Sequence, residues 1–142
     1  MPRTLLLVPR LAASVTKLRS VLDDQLAARA VSQRCRDDLA ILITEASTNA
    51  VRHGHGSDPI EVAIALDDHQ CVLEIGNLDR DAGSDPDDAR FRAALPNHWA
   101  ESGRGLPLIR ALADAVRIIR PRPGWVQIRI VKRFDRPRPR VS

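Results

Sequence analysis

Asp38-Leu39-Ala40-Ile41-Leu42-Ile43-Thr44-Glu45-Ala46-Ser47-Thr48-Asn49-Ala50-Val51-Arg52-His53-Gly54 reads as one amphipathic helix, and the rest of the chain is arranged around it. With Ala46 at the origin and about 100° per residue, Cys35, Leu39, Leu42 and Ala50 fall within about 40° of it. That is the face predicted to be buried. Glu45, Asn49 and His53 lie at about −100°, −60° and −20°, an i, i+4, i+8 stripe along one rim of the apolar face. An amide oxygen is a hard neutral ligand for Mg²⁺, and a carboxylate one turn away can orient or deprotonate a hydroxyl. Ordinary surface polarity gives the same spacing, so the stripe alone leaves both readings open. Ser32 is the predicted N-cap, Asp37 and Asp38 suit the early turns, and Gly54 and Gly56 stop the helix.

Beyond this helix, Ile60, Val62, Ile64 and Leu66 alternate. Cys71, Leu73 and Ile75 do so again after Asp67-Asp68-His69. Period-two alternation on both sides of a polar turn predicts an antiparallel hairpin. From Gly76 to Ser102 the pattern breaks. Asp79, Asp81, Gly83, Ser84, Asp85, Pro86, Asp87 and Asp88 crowd its first half, and residues 89–95 allow one helical turn. A loop this long inside a domain is often functional. Gly103-Arg104-Gly105 then opens a helix with Leu106, Ile109, Arg110 and Ala113 in register. Glycines let backbone approach an anion, a helix start presents unpaired N–H groups, and Arg104 adds a charged donor.

Residues 115–119 and 125–134 read as closing strands, with Pro121, Pro123 and Gly124 in the turn between them. At the start of the chain, residues 4–8 form a strand ended by Pro9. Residues 12–30 form a helix through Val15, Leu18, Val21, Leu22 and Leu26. Strands adjacent in sequence form hairpins and the helices collect between them. This order predicts an α/β (α+β) two-layer sandwich with a mixed, largely antiparallel sheet covered on one face by helices. Neither GxGxxG nor GxxxxGK[ST] occurs, which argues against a Rossmann or P-loop site.

A chain of 142 residues fits one domain, expected over 1–134, with an Arg/Pro-rich disordered tail over 135–142. No run of eighteen apolar residues occurs, and the four apolar residues from Leu5 to Val8 are too few for a signal-peptide core. Cys35 and Cys71 have no CxxC partner, so two buried thiols in a reducing, cytoplasmic setting are expected. From Val116 to Ser142 eight arginines and one lysine face one aspartate, which gives +8. The chain's +4 therefore leaves −4 for residues 1–115. That basic end suits an acidic partner or nucleic acid. With 3% aromatic residues and no tyrosine, stacking platforms are few, which argues against direct nucleic-acid binding. Trp125 is expected in the core. Trp99 is read either as a loop anchor or as a cover over bound nucleotide.

Asp38 to Gly54 resembles the N-box of the GHKL ATPases. More narrowly, it resembles that of bacterial anti-sigma-factor serine/threonine kinases of the RsbW and SpoIIAB type. Their pattern is Glu, three residues, Asn, Ala, two residues, His. Gly103 to Asp114 resembles the second glycine box of the same family, and the element order agrees along nearly the whole chain. The resemblance implies the Bergerat, or histidine-kinase-type, ATPase fold. It implies ATP and Mg²⁺ as cofactors, with Glu45 as catalytic base and Asn49 as magnesium ligand. Arg52 and His53 would line the nucleotide pocket. Gly103, Arg104, Gly105 and Leu106 would cradle phosphate, and residues 79–102 would form the lid.

The resemblance implies a kinase that sequesters a sigma factor and phosphorylates a serine or threonine on an anti-sigma-factor antagonist, and it allows a homodimer. One departure stands out. The family's first glycine box opens with an aspartate that reads adenine, followed by glycines. Here Asn77 stands at that place, followed by Leu78, Asp79 and Arg80, while Asp81-Ala82-Gly83 lies further on and reads as lid. An asparagine can both accept from and donate to an adenine edge but carries no charge. Weak or absent turnover, with function as a binding module, is therefore the alternative. A detached histidine-kinase catalytic domain is a further reading, although no phospho-acceptor helix pair precedes the N-box.

Overall fold

The computed structural model describes residues 2–53, 58–78 and 105–135. Its elements are β1 (Arg3–Val8), α1 (Ala12–Ala28), α2 (Gln33–His53), β2 (Ile60–Leu66), β3 (Gln70–Leu78), α3 (Gly105–Leu112), β4 (Ala115–Ile119) and β5 (Trp125–Arg133). The five strands make one sheet in the order β1-β2-β3-β5-β4. Helices cover one face, as expected for a two-layer sandwich.

All four pairings are antiparallel. Two helices separate β1 from β2, so the chain returns in the opposite direction and the two strands pair antiparallel. The α3 crossover leaves β4 running the same way as β3, but β5 inserts between them. No parallel pair therefore forms among the described strands, and the mixed character read from the sequence reduces to an antiparallel ladder.

Two helix boundaries have a clear local cause. Ser32 caps α2, its Oγ accepting from the Cys35 N–H at 3.3 Å. Helix α1 ends two residues before the sequence reading placed it. Ala30 adopts a left-handed φ of 55°. The Val31 N–H reaches Leu26 O and the Ala30 N–H reaches Ala27 O, the paired bonds of a Schellman close. Alanine fills a position where glycine is the usual signal, which hides the stop from a sequence reading. Arg36 of α2 binds Asp23 of α1 through two bonds of 2.9 and 2.8 Å, and this pair holds the Asp23 carboxyl below its ordinary pKa.

The core lies between the layers. Leu18, Leu22 and Leu26 of α1 meet Leu39, Leu42, Ile43 and Ala46 of α2 over Ile60, Val62, Ile64, Leu73, Ile75, Ile128 and Ile130 of the sheet. Leu106 and Ile109 bring α3 into the same cluster. Cys35 and Cys71 are buried free thiols, and burial pushes Cys71 up to about 12. No helix among the described residues is long and apolar enough to cross a membrane.

The β2–β3 turn falls at the expected Asp67-Asp68-His69. Asp67 Oδ1 accepts from the N–H groups of His69 at 2.7 Å and Gln70 at 2.8 Å. These two donors hold its carboxyl below the ordinary value. A carboxyl with a depressed folded pKa stabilises the fold above its unfolded pKa of about 4, and that stabilisation is lost as pH falls through the folded value. Asp67→Ala is therefore expected to unfold at lower temperature than the parent at neutral pH. The gap between the two should close as the solution is taken well below about pH 4. Thermal unfolding across that range checks it.

Candidate nucleotide site

Helix α2 runs across the sheet, with α1 packed on one flank and α3 on the other. Its buried positions include the predicted Cys35, Leu39, Leu42, Ala46 and Ala50, joined by Ile43, Ser47 and Asn49. Ser47 Oγ donates to the Ile43 carbonyl, and Thr44 Oγ1 donates to Ala40 O at 2.6 Å, so these two hydroxyls are satisfied within their own helix. Asn49 is not. It is 2% exposed, and neither Oδ1 nor Nδ2 has a hydrogen-bond partner among the described residues. A buried amide without partners costs on the order of 1–3 kcal/mol, so its persistence calls for an explanation.

Glu45 lies one turn earlier on α2, half-buried, and makes no hydrogen bond or ion pair among the described residues. Burial deepens from Glu45 to Asn49, as the helical angles require. Arg52 is exposed. The predicted role of the His53 side chain falls outside the described residues, and so do the stop at Gly54 and Gly56, the 79–102 lid with Asp81-Ala82-Gly83 and Trp99, Gly103, Arg104 and the tail beyond Asp135.

Gly105 opens α3 and Leu106 is buried in its first turn, while Ile109 anchors the helix on the core. The start of α3 thus belongs to a helix packed against α2. A helix start leaves backbone N–H groups unpaired, although Pro107 supplies none. Asn77 sits next to the end of β3. It follows Cys71, Leu73 and Ile75 on the side of the strand that faces the helices. Its Nδ2 donates to Leu78 O at 3.2 Å. The sheet register therefore puts Asn77 on the same side as Asn49.

One feature of this region was not legible in the sequence. Trp125 is 8% exposed, as a core residue should be, but it lies on the other face of the sheet, across Gly76. A Cβ on Gly76 would stand 2.6 Å from Trp125 Nε1 and 2.9 Å from Cε2 and Cζ2. The Arg122 guanidinium lies over the indole at 4.2 Å and reaches Glu61 at 3.7 Å. Gly76→Ala is expected to cost about 1–3 kcal/mol, because the indole must move. The same change should alter tryptophan emission, which distinguishes it from a neutral strand substitution.

The donor set suits a magnesium nucleotide. An unsatisfied buried amide and a half-buried carboxylate stand one turn apart on α2. A hard cation would take Asn49 Oδ1 together with water and phosphate oxygens. Residues 8–132 match the histidine kinase-like ATPase domain family. The chain belongs to that family. Among curated proteins, the serine-protein kinase RsbW of Bacillus cereus is 33% identical over 89 residues, covering 58% of this chain and 56% of the relative. RsbW from Bacillus anthracis and Bacillus thuringiensis matches to the same extent. The match thus spans little more than half the length of these kinases.

The histidine kinase-like fold also recurs in solved structures. The RsbU and RsbW domains of a Mycobacterium tuberculosis protein align with a TM-score of 0.71 at 22% identity, over 96% of this chain and 34% of that one. The SiaB–SiaC complex of Pseudomonas aeruginosa aligns at 0.59 and 20% identity, over 92% of this chain and 89% of that one.

Proposed function

We propose that the chain is an ATP-dependent regulatory serine/threonine protein kinase of the anti-sigma-factor type. The observation that carries this reading is the buried Asn49 amide without a partner, one turn from Glu45, in a histidine kinase-like ATPase domain. The names of the RsbW relatives support the reaction class, and the two-protein SiaB–SiaC complex supports an antagonist partner. In this proposal residues 1–134 form the kinase domain, 135–142 form a basic tail, and the protein works in the cytoplasm. Its partners are a sigma factor, which it holds from polymerase, and an antagonist, which it phosphorylates. A homodimer is part of the same proposal, and sedimentation of the purified chain tests it.

ATP with Mg²⁺ would supply the transferable phosphoryl group and charge neutralisation. The chain's own residues then divide the work. Asn49 would offer Oδ1 to the cation from a buried position where it makes no other bond, so no hydrogen bond has to break first. Glu45 accepts the proton of the antagonist's serine or threonine hydroxyl. Asn77 reads the adenine edge, while Arg52 and His53 line the pocket. Gly103, Arg104, Gly105 and Leu106 present backbone N–H groups and one guanidinium to phosphate oxygens.

A second reading keeps the fold and partners but not the catalysis. Asn77 in place of an aspartate, followed by Leu78 rather than glycine, favours it. In that case regulation is by sequestration alone. Incubation with labelled ATP and the antagonist decides between the two. Label on the antagonist supports the kinase. Its absence, with the sigma factor still held, supports the binding module. ATP and GTP titrated side by side test Asn77, for which reduced affinity and relaxed base choice are expected.

A further inference from the structure

The face of the sheet away from the helices carries a charge arrangement that the fold does not explain. Arg117 of β4 and Arg129 of β5 stand directly opposite one another in the ladder. Val116, Ile118, Ile128 and Ile130 turn inward, so both arginines point outward, and both are exposed. Like charges directly opposite on adjacent strands oppose pairing. Among the described residues neither guanidinium has an ion pair or hydrogen bond.

The carboxylates that might relieve them are taken. Glu74 is the cross-strand neighbour of Arg129 on its other side. Its Oε1 accepts from Arg3 at 3.2 Å and its Oε2 accepts from Gln127 at 2.6 Å. Glu61, on the same face, is met by Arg122. Aliphatic neighbours flank the pair. Ala115 and Val131 stand opposite one another on one side, with Ile119 opposite Gln127 on the other. Moreover, β4 is the last strand of the sheet, and among the described residues its outer edge pairs with nothing. An open edge offers main-chain donors and acceptors to an added strand.

We propose that an acidic, extended segment of a partner protein docks along the outer edge of β4, its carboxylates meeting Arg117 and Arg129. Strand spacing of about 4.8 Å puts Arg117 one step and Arg129 two steps from such a segment, within reach of both long side chains. Arginine among aliphatic side chains is the composition of a protein interface. A nucleic-acid backbone fits less well. Backbone binding typically engages about 6–10 phosphates, more than Arg117 and Arg129 can meet. The surface lies across the sheet from Asn49, so it is separate from the nucleotide site.

The test uses the full chain labelled with nitrogen-15, titrated with a short peptide that alternates glutamate and valine. A lysine-for-glutamate counterpart and a short single-stranded DNA serve as comparisons. Amide shifts are expected to concentrate in residues 115–119, with the acidic peptide binding best. Arg117→Glu should weaken that peptide about ten-fold or more. The same variant should unfold at an equal or higher temperature, because it turns a like-charge pair into an attractive one. Arg117→Gln provides the check if the reversal perturbs the sheet, with weakening in the same direction. Shifts confined to the basic terminus, unchanged affinity in both variants, or preference for DNA or the lysine peptide would overturn the proposal.

Discussion

Glu45→Ala is expected to reduce phosphoryl transfer to the antagonist by about 10²- to 10⁴-fold, the usual contribution of a positioned general base. ATP affinity should stay close to that of the parent. The separation follows from position. Glu45 is half-buried on α2, makes no bond among the described residues, and lies outside the core cluster. Its removal leaves no cavity in that cluster and no orphaned partner. Single-turnover transfer with labelled ATP, beside a binding titration, measures both quantities. Transfer that survives the substitution removes Glu45 from the mechanism.

Asn49→Ala should act in the opposite sense on the two states of the protein. The ligand-free chain carries a buried amide with both polar atoms unpaired. Deleting it removes a desolvation cost of about 1–3 kcal/mol but also loses packing, so the variant is expected to be as stable as the parent or up to about 1 kcal/mol more so. With ATP and Mg²⁺ the parent should gain stability by mass action, and the variant should gain none. Thermal unfolding of both chains, with and without nucleotide, reads this directly. A variant that loses several kcal/mol without ligand makes Asn49 a structural residue and weakens the case for a metal role.

Much of this architecture was legible from local signals. The 3.6-residue period of α2, the Ser32 cap, the period-two hairpin and the Asp67 turn are properties of short segments, and each appears in the fold as read, except that β3 runs on through Gly76, Asn77 and Leu78, where the alternation had broken off. The early end of α1 was hidden because alanine at Ala30 adopts the conformation usually signalled by glycine. The pairing of β3 with β5 joins segments far apart in the sequence, with α3 and β4 between them, and no local pattern encodes it. The Gly76–Trp125 packing depends on that register, so the burial of Trp125 was legible but the face of the sheet it covers was not. At the site, the stripe on α2 was legible because a helix fixes its own side-chain angles. Burial without a partner at Asn49 was not, since it depends on what the sheet and α3 bring against α2. The fold thus follows from patterning, while the state of the amide required the packed structure.

Calorimetric titration of the intact chain with ATP and Mg²⁺, repeated with Asn49→Ala, bears most directly on the nucleotide site. The account predicts one-site binding in the parent that needs the metal and disappears in the variant. Equal heats in both chains, or none in the parent, would contradict it.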